Sequence, residues 1–419
     1  MQYNITIIGG GPSGMMAAYS ARKNKQENKI LLLEKNKELG KKLLLTGGGR
    51  CNITNQEKIK KQIQLYPEKN FIKHSLYKLD NTSLLEIFQK ENIKFKTEEN
   101  GKIYPKTNQS TTIKNTLEKI LKKENIQIQL NTKVTEIKEK PNHFTIHTNK
   151  NTIKTEKIIL ATGGITYPKT GSTGDGYQIS KKLKHTITPI KPGLTSLKIK
   201  DPKLNKIAGT TINNTKITYK INKKTKKEEH GNILITHKGI SGPAIINLSN
   251  HIMKNQEYNL INNQKTFQPI KITIDLQKEN KQEKIKEQIE EDQKTQGKKE
   301  IKNYLKPYLP NKFIEYFLNT ININPKTKLN QLRKKEKNTL INKLKNFELK
   351  IDDITLNDAM ITIGGVNIKE INEKTLESKI VKNLYFAGEL LEPAGPTGGY
   401  NLQLAFSTGY LAGYSASQK

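Results

Sequence analysis

Tryptophan is absent from this chain of 419 residues, cysteine occurs once, and arginine is almost missing from a cation content dominated by lysine. The single cysteine, Cys51, forms no internal disulfide and leaves no Cys-x-x-Cys pair for dithiol exchange or a zinc site. Relays that pass electrons through a cysteine pair are excluded, and no metal site is expected. Apolar runs are short, none approaching the roughly 20 residues that span a bilayer. The opening residues lack the basic stretch and apolar core of a secretory signal. The expectation is a soluble, cytoplasmic protein with no membrane partner.

Acidic residues are also scarce, 39 Asp and Glu against 73 Lys and Arg, which leaves a net charge of +34. That lies far beyond the magnitude of about 2–8 suited to a small soluble domain. One reading is a polyanionic partner. The other is genomic, since crowding with Lys, Asn and Ile and a lack of Arg is the pattern an AT-rich genome imposes. Such a genome supplies glutamate as well and does not require acids to be so outnumbered, so the charge supports nucleic acid.

What is present is a set of apolar strand runs, at 5–8, 30–33 and 158–160, in a chain long enough for two lobes. Residues 3–34 read strand, glycine-rich turn, Ala-rich helix, strand: a βαβ unit. Residues 65–123 are mostly amphipathic and helical, broken at Asn100-Gly101 and Pro105. Residues 126–138 and 143–148 alternate like paired strands, and 158–164 is a buried strand ending in glycines. After Pro189 and Pro192 the texture turns to short alternating strands, then from about 278 to a polar, lysine-rich helical tract. Strand texture returns near 361–366, before an Ala/Gly-rich helix near 402–414. The expected division is a nucleotide domain from 1–190 and 355–419, with 191–354 inserted, β-rich over 191–277 and basic and helical over 278–354.

Gly9-x-Gly11-x-x-Gly14 follows a strand and opens a helix through Pro12 and Ser13, so its glycines allow a tight turn, close approach of a pyrophosphate and close helix packing. Glu34 ends the next strand, where an acid accepts ribose hydroxyls, with Lys35 beside it. Two later elements separate FAD from NAD. Residues 158–164 resemble the strand-plus-ATG element of FAD proteins, with Ala161, Thr162, Gly163 and Gly164 at its end. Residues 384–389 resemble their last strand, closing on Gly388 and Glu389 where Asp is usual. No second strand–glycine–helix unit exists, because Gly171–Gly176 lacks a preceding strand, so a dedicated NAD(P)H domain is not expected.

Further motifs run through the chain: Thr46-Gly-Gly-Gly-Arg-Cys-Asn-Ile-Thr-Asn55, Gly101-Lys-Ile-Tyr-Pro105, Gly164-x-Thr-Tyr-Pro-x-Thr-Gly-Ser-Thr-Gly-Asp-Gly176, Thr236-His-x-Gly-Ile-Ser-Gly-Pro243 and Gly398-Gly-Tyr-Asn401. Together they resemble the YhiN/BaiN-like flavoproteins, often labelled aminoacetone-oxidase-family FAD-binding enzymes, over essentially the whole chain. The resemblance implies an α/β fold: a discontinuous glutathione-reductase-like FAD-binding Rossmann domain carrying an inserted domain. It also implies a flavin-dependent oxidoreductase, with hydride delivered from reduced flavin to an activated carbon–carbon double bond. The family includes a synthase of dihydrouridine in 23S ribosomal RNA, while other members carry a bile-acid-reduction label. Ribosomal RNA is the leading substrate and partner, and NAD(P)H the transient electron donor. The alternatives are a small-molecule enone reductase or amine oxidase, and a flavin-bearing RNA-binding protein without turnover.

The expected cofactor residues beyond these are Gly48, Gly49, Arg50, Cys51 and Asn52, whose amides and guanidinium suit flavin or phosphate, together with Val134 and Asp175. Gly398, Gly399, Tyr400 and Asn401 precede an apolar helix whose dipole suits an anionic reduced flavin. Cys51 is either a proton donor or a small packing residue, and Arg50 beside it is expected to favour the thiolate. His237, at an expected junction between lobes, is a candidate substrate contact or a structural histidine. Lys298, Lys299, Lys302 and Lys306, then Arg333, Lys334, Lys335 and Lys337, suggest a cationic face with Tyr304, Tyr308 and Phe317 interleaved for base stacking.

Overall fold

The computed structural model describes every residue except Met1, Glu99, 221–225, Asn263 and Lys419. The chain divides into two compact units, Met1–Lys191 together with Met360–Lys419, and Pro192–Ala359. Among the described residues no helix is long and apolar enough to cross a membrane.

In the first unit, β1 (Gln2–Ile8) leads through a glycine turn into α1 (Pro12–Asn24) and on to β2 (Ile30–Leu33). The same sheet contains β3 (Gln127–Gln129), β4 (Val134–Lys140), β5 (His143–Thr148), β6 (Thr152–Leu160) and β7 (Leu384–Phe386). β3, β2, β1, β6 and β7 run parallel, while β4, β5 and β6 pair antiparallel. β6 changes character along its length. Its first half alternates buried and open positions against β5; its second half, Ile158–Leu160, is wholly buried between β1 and β7. A strand covered on both faces needs apolar side chains on both, which is why 30–33 and 158–160 are continuous apolar runs.

Register does the positioning. Ile8 lies opposite Leu33 on one side and Leu160 on the other, and Leu160 lies opposite Phe386. Four parallel strands therefore end together, and the residues that follow, Gly9, Glu34, Ala161 and Ala387, emerge at one sheet edge. Backbone bonds carry the register one residue further, from Gly9 N to Leu33 O (2.8 Å), Ala161 N to Ile8 O (2.9 Å) and Ala387 N to Leu160 O (2.9 Å).

Two expectations about elements change. Residues 126–138 are not one strand: β3 pairs with β2, then Asn131, at φ +52°, turns the chain, and β4 leaves to pair with β5. The turn is held by Asn131 N on Asn36 O and Thr132 N on Glu34 O, both 2.9 Å. The breaks at Asn100-Gly101 and Pro105 belong to a small antiparallel sheet, Thr54–Asn55 with Lys102–Pro105 and Phe95–Thr97.

In the second unit, antiparallel strands form a sheet in the order Phe347–Ile351, Ile270–Asp275, Thr211–Lys220, Lys226–Thr236, Gly239–Ser241, Leu197–Lys198, Asp353–Ile354, and the two central ones, of 10 and 11 residues, are longer than the short strands expected. Helices Gln282–Thr295, Asn311–Thr320 and Lys334–Lys345 follow in the lysine-rich tract. The expected aromatic face is corrected here. Phe317 is fully buried, its ring 5.5 Å from that of Phe347, and Tyr304 is 5% exposed; only Tyr308, at 40%, faces outward. Phe313, Ile314, Phe317 and Leu318 form an i, i+3, i+4 stripe, and that apolar stripe must be buried for the helix to hold.

The first unit's last helix, α2 (Tyr400–Gln418), packs against α1 at backbone distance. A Cβ added at Gly409 would overlap the Ser13 carbonyl oxygen, and one at Gly413 the Ala17 carbonyl oxygen. The obstructing atoms are main chain, so they cannot swing aside. Gly413→Ala is expected to destabilise the protein by about 1–3 kcal/mol, as overpacking does, read as a lower calorimetric Tm. An unchanged Tm would show that the helices separate without cost.

Candidate cofactor site

The converging strand ends open on one cavity. The three glycines of the first turn differ in what demands them. A Cβ at Gly9 (φ +110°) would overlap the Ala161 carbonyl oxygen, and one at Gly14 would overlap the Gly9 carbonyl oxygen, so backbone packing demands both. At Gly11 an added Cβ meets nothing within 4 Å, and the backbone there is extended at φ −78°, ψ −177°. No protein neighbour requires that glycine, and the space it keeps clear is the cavity itself. Gly11 is also the N-cap of α1, with no side-chain cap, so the helix N-terminus opens on the cavity with the partial positive charge of its dipole.

Glu34 is 8% exposed and tightly held. Its Oε2 accepts from Gly10 N (2.7 Å), and its Oε1 accepts from Asn36 N and Nδ2 (both 2.8 Å). Three of the carboxylate's roughly four lone-pair sites are taken, two on Oε1 and one on Oε2, so Oε2 can still accept from one ligand hydroxyl on a carboxylate that cannot rotate. Asn36 Nδ2 also donates to Thr170 O (3.0 Å), and Lys35 Nζ reaches Asp175 Oδ2 (2.7 Å) and Thr173 Oγ1 (2.6 Å), which ties the 170–175 loop to the end of β2. Burial acts to raise the Asp175 carboxyl, but the Lys35 ammonium outweighs it and holds the group below the usual carboxylate value.

Glu389 is engaged by the protein as well. Lys42 Nζ donates to its Oε2 (2.6 Å) and to Thr166 Oγ1 (2.8 Å), while Thr362 N donates to its Oε1 (2.8 Å). The extra methylene of Glu over Asp thus serves a bridge between the segments after β2 and β7.

Most sequence-predicted cofactor residues face this cavity: Gly9–Ser13 on the first turn, Glu34, Lys35, Val134, Ala161–Gly163, Asp175, Gly388, Glu389 and Asn401. Asn401 takes a structural part there, its carboxamide bonding Gly395 N and O (2.8 and 2.9 Å) and Pro396 O (3.0 Å). Gly14, Gly164, Gly398, Gly399 and Tyr400 do not line it, and of the 46–52 run only Thr46 reaches the cavity. Arg50 is occupied elsewhere, 4.2 Å from the Tyr104 ring centroid and 2.7 Å from Glu98. His237 is exposed in the turn between Lys226–Thr236 and Gly239–Ser241, in the other unit.

Cys51 corrects an expectation. It is fully buried, with φ +61°, and burial pushes its thiol up to about 12, against a smaller opposing effect from a hydrogen bond with Thr46. Arg50 does not make it a thiolate, because its guanidinium is stacked on Tyr104 and paired with Glu98. Sequence reasoning missed Lys42, Asn36 and Thr362. No local spacing marks them; Lys42 matters through a carboxylate 347 positions away.

A glycine turn, an acid ending the second strand and two further strand ends on one cavity define a Rossmann-type protein of the flavin-dependent oxidoreductase class. The chain matches the HI0933-like protein Rossmann domain over residues 3–415 and belongs to that HI0933-like family. It is 30% identical over 416 residues to a 3-dehydro-bile acid delta(4,6)-reductase of Clostridium scindens, covering 99% of each chain. It is 26% identical over 416 residues to a ribosomal RNA dihydrouridine synthase of Escherichia coli, covering 98% of this chain and 96% of that one. The fold is similar to a point variant of the E. coli quinol fumarate reductase FrdA, at 16% identity and a TM-score of 0.50, over 100% of this chain and 70% of that one.

The buried thiol carries a pH signature. The folded protein keeps the Cys51 proton to about pH 12 while the unfolded chain releases it near the ordinary value of 9, so this group makes stability fall as pH rises through that window. Ellman's reagent at pH 8 is expected to leave native Cys51 untouched and to titrate one thiol once guanidinium unfolds the chain. Rapid reaction of the native protein would place Cys51 at an open surface.

Proposed function

We propose that this cavity holds FAD and that the protein is a flavin-dependent reductase of a polarised carbon–carbon double bond, with a uridine of 23S ribosomal RNA as its substrate and NAD(P)H as the transient electron source. The observation that carries the cofactor assignment is Gly11: a glycine that no protein atom requires, at an uncapped helix N-terminus, beside an immobilised acid. The α1 terminus would receive the pyrophosphate with its amides and about half a positive charge. Glu34 Oε2 would accept from an adenosine ribose hydroxyl, and the Glu389–Lys42 bridge would set the wall beyond Gly388. Asn401 and Leu402, in the first turn of α2, place a second helix N-terminus on the cavity, suited to negative charge on a bound ring. When bound, FAD supplies a ring that takes up two electrons and gives them on as hydride.

The names of the two relatives, a delta(4,6)-reductase and a dihydrouridine synthase, share the saturation of ring double bonds. The RNA reading is supported by the net charge of +34. It is supported further by an open groove in the second unit lined by Gln282, Lys334, Lys335, Asn338, Thr339, Asn342 and Lys343, with no carboxylate among them. Apart from Gln282 they lie in two i, i+4, i+8 rows along Lys334–Lys345, a cation, amide or hydroxyl about every 6 Å, which suits contacts with successive phosphates. A second reading, an enone-type small molecule, is favoured by the higher identity to the bile-acid enzyme and by the 40%-exposed Met360 on the cavity wall.

The purified protein is expected to be yellow and to release FAD, identified by mass. Gly11→Val is expected to bleach it and to leave the Tm of the cofactor-free protein little changed, while Gly14→Ala destabilises the fold with or without cofactor. FMN alone in the released fraction would remove the assignment. For the substrate, nucleoside mass spectrometry of 23S rRNA from a deletion strain is expected to show the loss of dihydrouridine. Unchanged rRNA together with NAD(P)H-dependent reduction of a steroid dienone would decide for the second reading.

A further inference from the structure

Apart from the strand-end cavity and the lysine groove, the Pro192–Ala359 unit contains a smaller cavity of about 100 Å³ that neither the cofactor nor the reduction step uses. Its walls are Ile285, Ile289, Leu344 and the Tyr304 ring, with Tyr308 at its edge and the amides of Asn280 and Gln288 on its rim. Tyr308 is 40% exposed, and its ring centroid lies 6.0 Å from that of Tyr304. An aromatic left in water at the lip of an apolar slot is a platform for another planar ring.

The polar rim is oriented from behind. Asp292, 6% exposed, accepts from Tyr304 Oη (2.7 Å), Gln296 Nε2 (3.0 Å) and Gln288 Nε2 (3.2 Å). A carboxylate can only accept, so it draws the Gln288 amino group toward itself and leaves the side-chain carbonyl oxygen as the group on offer. The slot therefore pairs an apolar and aromatic interior with a fixed acceptor. It shares its two helices, Gln282–Thr295 and Lys334–Lys345, with the lysine groove: Lys343 lines the groove and Leu344 the slot.

We infer that this cavity is a subsite for one unstacked nucleobase of a single-stranded RNA, with the base against Tyr308, a ring N–H donated to Gln288, and the flanking phosphates in the groove. The inference rests on the ribosomal RNA reading and deepens it by giving the RNA an anchoring point separate from the reducing cavity. At the N3 position uracil presents a donor and cytosine a lone pair that the Gln288 carbonyl oxygen repels, so the subsite prefers uracil.

Fluorescence anisotropy with labelled oligouridine, oligocytidine and an abasic strand of equal length tests it. The wild-type, flavin-loaded protein is expected to bind oligouridine about tenfold or more tighter than the abasic strand, within the range of one base-stacking contact. Tyr308→Ala is expected to erase that advantage with flavin content and salt dependence unchanged, while Tyr308→Phe retains it. Gln288→Leu is expected to remove the preference for uridine over cytidine. Reversing Lys334, Lys335 and Lys343 to Glu is expected to lower the slope of log K against log salt by about 2, at about 0.7 per phosphate. If Tyr308→Ala and Gln288→Leu bind all three strands like wild type while the charge reversal weakens binding, the nucleobase subsite is wrong and the RNA reading stands. If the wild-type protein binds none of the strands, both fall together.

Discussion

The parallel register of three strands is the constraint on which the rest depends. Because Ile8 faces both Leu33 and Leu160, the turns that follow them emerge at a common edge, and β7 joins at the same level through Leu160 and Phe386. Shifting one strand by a residue would turn its buried side chains to the other face and displace its terminal residue from the cavity. The apolar runs specify that register through their ends, since Ile30–Leu33 is flanked by Lys29 and Glu34 and a shift of one residue would draw one of these charged side chains into the dry sheet.

At that edge the acids serve two purposes. Glu34, Asp175 and Glu389 each face the cavity, and each is held by a protein partner: backbone amides for Glu34, Lys35 for Asp175, Lys42 for Glu389. A carboxylate aimed into an apolar pocket without partners would be costly to keep ionised. Paired in this way, the three carboxylates tie together segments far apart in sequence, and the cavity wall is organised before any ligand enters. The same device recurs in the second unit, where buried Asp292 orients Tyr304, Gln288 and Gln296.

Local signals read well where the chemistry is local. The first glycine turn, Glu34 one strand later and the Ala161–Gly163 and Gly388–Glu389 strand ends could be assigned because strand, turn and helix are neighbours in the chain, and all of them reach the cavity. The glycine-rich 46–52 run could not be placed from sequence: it carries phosphate-binding residue types, yet Arg50 spends its charge on Glu98 and Tyr104. The tract beyond 278 misled in a similar way. Lysines and aromatics alternate there in sequence, but helical periodicity sorts them onto opposite faces, and Phe317 goes to the core.

The sequence by itself determined the dinucleotide turn, the strands that carry it and the order of the motifs, because each depends on spacing within about one turn or one strand. Tertiary structure alone decided which charges meet and which groups lose water. Lys42 and Glu389 stand 347 positions apart, and nothing in the local sequence of either specifies the other. The Cys51 thiol is pushed up to about 12 by its enclosure, against the sign its neighbour Arg50 suggested. Protonation and pairing follow distance and burial in three dimensions, and a linear pattern carries those only where the chain has not yet folded back on itself.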